Sequence, residues 1–288
     1  MQLGYIGLGK MGHNMVSRLI EKKHDVFAFD KNDDSFKNTN SLKELCEKLK
    51  SPRVIWLMVP YQAVDGVLGE LMLHLSRGDT IIDGGNSPYK ESMRRAKELS
   101  SSGIKFLDIG VSGGPGGALA GACLMIGGEL EDFNKLEPLF KDLSADGGYG
   151  YMGKHGAGHF VKMVHNGIEY GMMQAIAEGF TVMKNSEFNL NLENIADLYN
   201  HRSVIESRLV NWLKEGFNEF GQDMDKVSGS VASSGEGQWT VDAAKELGVP
   251  VRVIEDALRF RLDSKNSPSY TGKLLSVMRN RFGGHKVN

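Results

Sequence analysis

The chain reads as an α/β protein: an N-terminal domain with a mostly parallel sheet, then an all-α C-terminal domain begun by a long helix. Three observations predict this. Up to about residue 156, short apolar runs alternate with amphipathic stretches, the pattern of βαβ units. The run Gly7-Leu8-Gly9-Lys10-Met11-Gly12 follows the first apolar stretch. From Gly158 to Lys184, Val161, Val164, Ile168, Met172, Ile176 and Phe180 fall at helical spacing.

In order, strands are expected near Leu3–Ile6, Val26–Phe29, Val54–Val59, Thr80–Asp83, Lys105–Ile109 and Leu124–Ile126, with helices such as Val64–Leu75 and Glu91–Ser100 between them. Beyond the long helix, helical patterns cover Leu192–Asn200, Val204–Trp212, Thr240–Leu247 and Val251–Leu262, the last opened by Pro250. No internal repeat or low-complexity linker interrupts the chain, so the long helix itself is expected to join the domains. The boundaries expected are 1–156 for a dinucleotide-binding domain and 157–288 for a helical substrate and dimerisation domain with a C-terminal tail.

At 288 residues, with 41% hydrophobic and 24% charged, the chain can bury two cores. A net charge of −2 supplies no global field for nucleic acid or an anionic membrane. An anionic ligand must therefore meet a local basic cluster. Cys46 and Cys123 lie far apart and in no metal-ligand spacing, which suits a reduced, cytoplasmic setting. The first strand begins at once, so no signal peptide is expected. No apolar run approaches the roughly 18 residues of a membrane span.

The glycine run has the strand–loop–helix context of a Rossmann-type fold, in which glycines allow a tight turn and close approach of a pyrophosphate to a helix N-terminus. A plain glycine turn is the alternative. Asp30 ends the second strand 18 residues after Gly12, where a carboxylate can accept the ribose hydroxyls. A 2′-phosphate would be repelled there, so NAD is favoured over NADP, although Lys31 next door can soften the preference. Asp30 could instead be a turn residue before Lys31-Asn32-Asp33-Asp34. Val59 and Pro60, after the third strand, join Gly7 to Gly12, Asp30 and Lys31 in the expected cofactor-binding set.

Two further loops stand at the strand ends where open α/β sheets bind ligands. Asp83-Gly84-Gly85-Asn86 offers the Asn86 amide to cofactor or polyol. The run from Gly110 to Ala118 offers exposed backbone N–H groups for a carboxylate or hydroxyl. Both could be mere turns.

Along the long helix, Lys162, His165, Asn166 and Glu169 fall on one face, with Tyr170 beside them. An amine, an imidazole, an amide and a carboxylate together suit a reaction surface better than a solvated or core face. A free lysine titrates near ~10.4, and burial beside a cofactor ring would bring Lys162 toward the ~7–8 useful to a base. Glu169, two turns on, would be the complementary acid. A seven-residue separation is too long for an ordinary ion pair. His165 alone would be a core histidine. His155, His159 and His165 make no metal motif such as His-Glu-x-x-His, so no metal is expected.

These segments resemble 6-phosphogluconate dehydrogenases: GLGKMG at 7–12, IIDGGNSPY at 81–89, GVSGG at 110–114 and GHFVKMVHNGIEYG at 158–171, with GQWT at 237–240, GVPV at 248–251 and RNRFGGH at 279–285 further on. The resemblance implies that Lys162 takes the C3 hydroxyl proton as hydride leaves for the nicotinamide. The β-keto acid then loses carbon dioxide while protonated Lys162 polarises its carbonyl, without a metal. Glu169 then protonates C1 of the enediol, giving ribulose 5-phosphate. It also implies that Asn86, Ser112, Gly113, Gly114, His165 and Asn166 hold the sugar acid. Tyr170, Gln238, Thr240 and Arg261 would hold its phosphate end, and Arg279 and His285 would reach in from a second subunit.

The family's common form is longer, with a duplicated helical region, so a short form is implied, completed by a partner chain as a homodimer or homotetramer. Members that use NADP carry Asn-Arg-Thr where Asp30-Lys31-Asn32 stands. The family's Gly-Lys-Trp-Thr reads Gly237-Gln238-Trp239-Thr240, which removes one cation from the phosphate end. A related β-hydroxyacid dehydrogenase acting on a non-phosphorylated acid is thus the enzymatic alternative. A dinucleotide-binding regulator without turnover is the non-enzymatic one.

Overall fold

The structure, a computed structural model, describes every residue except Asp33, Ser234 and Asn288. Asp33, part of the turn run expected after Asp30, thus lies outside the described residues. The chain divides into two compact units, Met1–Lys162 and Met163–Asn288.

In the first unit, strands β1 (Gln2–Ile6), β2 (Asp25–Phe29), β3 (Val54–Leu57), β4 (Thr80–Asp83), β5 (Lys105–Ser112), β6 (Ala122–Gly128) and β7 (Ser144–Gly153) form one sheet in the order β2-β1-β3-β4-β5-β6-β7. All neighbours are parallel except β5 and β6. The intervening helices are α1 (Lys10–Glu21), α2 (Leu42–Lys48), α3 (Tyr61–Leu71), α4 (Tyr89–Ser101), α5 (Gly114–Ala120) and α6 (Leu130–Leu143). A parallel sheet covered on both faces needs near-continuous apolar strands, and β3 shows why. Trp56 enters one core with Tyr5, Met15 and Ile82, while Ile55 and Leu57 enter the other with Leu45, Ile81 and Phe106. Strand order reverses between β1 and β3, so the ends of these strands bound the crevice where dinucleotides bind in such sheets.

Several elements depart from expectation. β5 runs on through Gly110 and Val111 to Ser112. A helix, α5, begins at Gly114-Pro115, and β7 is a seventh strand rich in glycine. β3 stops at Leu57, leaving Val59 and Pro60 in the loop before α3. Cys46 is buried in α2, and Cys123 is exposed on β6.

The second unit holds most of α7 (Ala157–Lys184), then α8 (Leu192–Tyr199), α9 (Arg208–Phe220), α10 (Glu236–Glu246), α11 (Arg252–Asp263) and α12 (Tyr270–Gly283). The helix expected from Val204 starts instead at Arg208, because the Ser207 side chain accepts the Val210 N–H and caps it. Val204 and Ile205 are left exposed ahead of it. The basic tail is largely α12, whose Leu274, Leu275, Val277 and Met278 share a core with Leu209, Val210, Leu213 and Phe217 of α9. Among the described residues, no helix is long and apolar enough to cross a membrane.

Candidate active site

The three glycines of the first loop have separate tasks. Gly7 has φ +102°, and a Cβ there would meet the Met58 carbonyl. A Cβ on Gly12 would collide with the Gly7 carbonyl. At Gly9 the space is open, so an incoming pyrophosphate can approach the backbone there. Gly9 caps α1 without a side-chain hydrogen bond, leaving the first-turn N–H groups of Lys10, Met11 and Gly12 directed at such a ligand. Leu8 is buried. Asp30 Oδ2 accepts the Leu8 N–H at 2.6 Å, and Oδ1 accepts the Asn32 N–H at 2.7 Å. The carboxylate therefore ties loop to strand and closes a turn, while each oxygen keeps a lone pair. Lys31 is exposed beside it.

The other strand ends converge on the same edge. A Cβ on Gly85 would stand 2.7 Å from the Val59 carbonyl, so the loops holding Val59, Pro60 and Asn86 are in close contact. Buried Asp83 accepts the Ser87 hydroxyl at 2.7 Å and the Gly85 N–H at 3.1 Å. Arg95, itself buried, lies 3.4 Å from the same carboxylate. That network shapes the turn and leaves Asn86 exposed at its tip. Ser112 ends β5, Gly113 adopts φ +126°, and Gly114 opens α5. Asn14 Nδ2 donates to the Pro115 carbonyl at 2.8 Å, anchoring that turn to α1.

α7 starts on a buried carboxylate. Asp108 accepts the N–H groups of Gly156 at 2.7 Å and His159 at 2.9 Å. His159, weighed above only as a metal ligand, is buried with Nδ1 2.7 Å from the Ser92 hydroxyl. One turn on, Lys162 is 8% exposed. Its side chain lies against Gly110, where any Cβ would collide with the lysine's own Cβ. The stem of Lys162 thus packs on β5 two residues before Ser112. Asp108 and Arg95 are not marked in the sequence; a buried acid or base without a motif carries no signal until the fold supplies its partners.

Within the second unit, His165 Nδ1 lies 3.0 Å from the Asn166 amide oxygen. Tyr170 gathers the expected phosphate-end residues. Its hydroxyl is 3.2 Å from Ser233 Oγ, and the Arg261 guanidinium carbon stands 3.3 Å above its ring centre. Burial lowers the Arg261 pKa to about 10, with Arg279 adding repulsion and Tyr170 and Glu169 opposing. Burial likewise lowers Arg279, against the pull of Tyr170, Glu169 and Glu236.

Here expectation and structure differ. Arg279, expected from a second subunit, is 6% exposed and belongs to its own chain's cluster, because α12 packs on α9 of the same chain. Thr240 Oγ1 sits 2.7 Å from the Met163 carbonyl and 2.9 Å from that of Glu236, so it pins α10 to α7. Gln238 is exposed and donates to Asp242 at 2.9 Å. His285 is exposed and packs edge-on against Phe282.

Comparison with known proteins adds to this geometry. Residues 2–153 match the NAD binding domain of 6-phosphogluconate dehydrogenase, and residues 158–281 match that enzyme's C-terminal domain. A Bacillus subtilis protein, YqeC, provisionally named a 6-phosphogluconate dehydrogenase, is 45% identical over 99% of this chain and 98% of its own. An NAD(+)-dependent, decarboxylating 6-phosphogluconate dehydrogenase of Haloferax volcanii is 42% identical over 100% of this chain and 98% of its own. The Plasmodium falciparum 6-phosphogluconate dehydrogenase, solved with NADP+ and with 6-phosphogluconate, superposes with a TM-score of 0.79 at 26% identity. That match covers 96% of this chain but 70% of the longer one, the length difference expected of a short form. The chain belongs to the 6-phosphogluconate dehydrogenase family, as an oxidoreductase built on that family's NAD-binding domain.

Proposed function

We propose that this protein converts 6-phosphogluconate to ribulose 5-phosphate and carbon dioxide, with NAD as the preferred oxidant. The observation that carries this reading is a buried Lys162 against Gly110, with Glu169 seven residues along the same helix. Seven residues make about two turns, so both side chains leave the same face of the helix, one to serve C3 of the sugar acid and the other the neighbouring C2, which becomes C1 of the product. Uncharged Lys162 takes the C3 hydroxyl proton; NAD, when bound, accepts the C3 hydride. The C1–C2 bond then breaks, carbon dioxide leaves, and its electron pair runs through C2 to the C3 carbonyl, which protonated Lys162 neutralises. Glu169 delivers a proton to C1 of the resulting enediol while Lys162 takes back the neighbouring hydroxyl proton, giving the ketone. Ser112, Gly113, Gly114, Asn86, His165 and Asn166 hold carboxylate and hydroxyls, and Tyr170, Arg261 and Arg279 meet the phosphate.

Asp30 supports NAD over NADP, since its carboxylate would oppose a 2′-phosphate, and the Haloferax relative is itself named NAD(+)-dependent. Gln238, turned toward Asp242, favours the second reading, oxidation of a non-phosphorylated acid; two buried arginines beside Tyr170 weigh against it. Assaying 6-phosphogluconate and gluconate, each with NAD and NADP, with carbon dioxide trapped, tests the reading. NADH and carbon dioxide should form together from 6-phosphogluconate, and Lys162→Met should lower kcat by at least about 10³-fold, within the range for a general base. Faster turnover of gluconate, or substantial activity in Lys162→Met, would discard it.

A further inference from the structure

We infer that Glu236, which the mechanism does not use, makes the phosphate end of the site select a terminal phosphate that carries one proton. This rests on the 6-phosphogluconate reading above. Glu236 lies in the first turn of α10 and is 5% exposed. Its place beside Tyr170 is fixed from both sides. Ser233, three residues before it, meets the Tyr170 hydroxyl at 3.2 Å. Gly237, the next residue, packs so closely that a Cβ would stand 2.5 Å from Tyr170 Cε2. Thr240 Oγ1, 2.9 Å from the Glu236 carbonyl, holds the turn itself.

The charges around it can be counted. Glu169 and Tyr170 come from α7, Arg261 from α11 and Arg279 from α12, and the carboxylates of Glu236 and Glu169 both act on Arg279. Gln238 supplies no cation and is engaged with Asp242. The Glu236 and Glu169 carboxylates together offset the two guanidinium groups, so the cluster holds no spare positive charge for a dianion and favours the singly charged form. A phosphate monoester loses its second proton near pH ~6. Above that pH a dianion would face Glu236 with like charge, unless a proton is taken up and shared as a P–OH donor to the carboxylate. Glu236 is thus a specificity-determining residue whose effect grows with pH.

Steady-state kinetics from pH 6 to 8.5 test this, with gluconate, as substrate or competitive inhibitor, for control. For the unmodified protein, KM for 6-phosphogluconate should rise on the order of a hundredfold across that range, following the loss of the phosphate proton. In Glu236→Gln the rise should shrink to about twofold, while the pH dependence of gluconate affinity should match that of the unmodified protein. Calorimetry at pH 8 in buffers of different ionisation heat should show uptake approaching one proton per 6-phosphogluconate bound by the unmodified protein. That measurement needs no variant to fold. Parallel pH profiles for the two proteins, equal weakening toward both ligands, or no proton uptake would overturn the inference while leaving the reaction standing. Turnover of gluconate without 6-phosphogluconate would overturn both.

Discussion

At Gly110 a missing side chain decides where another one stands. Lys162 can lie against β5 only because no Cβ projects from that position. Gly110→Ala should therefore push the lysine, or the start of α7, outward. Overpacking of this kind costs about 1–3 kcal/mol, and an ångström of misplacement at a reacting group costs about 10²-fold in rate. The two effects are of comparable size, and the second is the one read in kcat. We expect kcat to fall by about 10²-fold or more with NADH affinity within about twofold, measured by fluorescence titration; near-normal turnover would show that the helix accommodates the methyl. The placement of Lys162, His165, Asn166 and Glu169 on one helix was legible, since they follow helical spacing. The closeness of Gly110 to Lys162 was not, because the two are joined only through the β5–α7 packing.

At the scale of elements, α7 depends on Asp108. Its buried carboxylate accepts two N–H groups at the head of a 28-residue helix. Asp108→Ala would strand both donors, at about 1–3 kcal/mol each, partly relieved by entering water. A loss of about 2–4 kcal/mol in urea unfolding is expected, with Asp108→Asn losing less because one acceptor survives. An unchanged midpoint in Asp108→Ala would remove the cap from this account. The long helix was readable from its apolar period, and the strands β1 to β4 from their apolar runs. α5 was not, because Gly114-Pro115-Gly116-Gly117 has little helix propensity and is helical through packing, with Gly117 and Ala118 buried. β7 escaped for the same reason: its glycines weaken strand propensity, and pairing with β6 outweighs it. α12 was mistaken for a tail because its apolar residues are interrupted by Lys273, Ser276 and Arg279, whose company only the second core reveals.

For the whole molecule, exposed apolar residues bear on assembly. Ile168, Met172 and Val182 are exposed along one side of α7, and a contiguous apolar strip on a surface helix is a common mark of an interface. With the oligomer implied by the family resemblance, this predicts a dimer or tetramer. Light scattering should give at least twice the 31.7 kDa chain mass, and Ile168→Glu with Met172→Glu should shift it toward the monomer. A monomer at micromolar concentration in the unmodified protein would refute the expectation. The change to a helical second half was legible from the periodicity near residue 156. Arg279 beside its own chain's Tyr170 was not, since that depends on α12 returning across more than a hundred residues to the same core.

The cysteines have a practical consequence. Burial raises the Cys46 thiol to about 11, so it stays protonated and shielded at neutral pH, while Cys123 is exposed. In the β5–β6 ladder, Cys123 is the residue directly opposite Ser112, and facing residues in an antiparallel pair have Cα atoms only about 4.5–5.5 Å apart. A fluorophore coupled to the native thiol would therefore sit across one rung from the loop proposed to hold the sugar acid. The protein carries its own labelling point, and ligand occupancy can be followed optically without introducing a new cysteine.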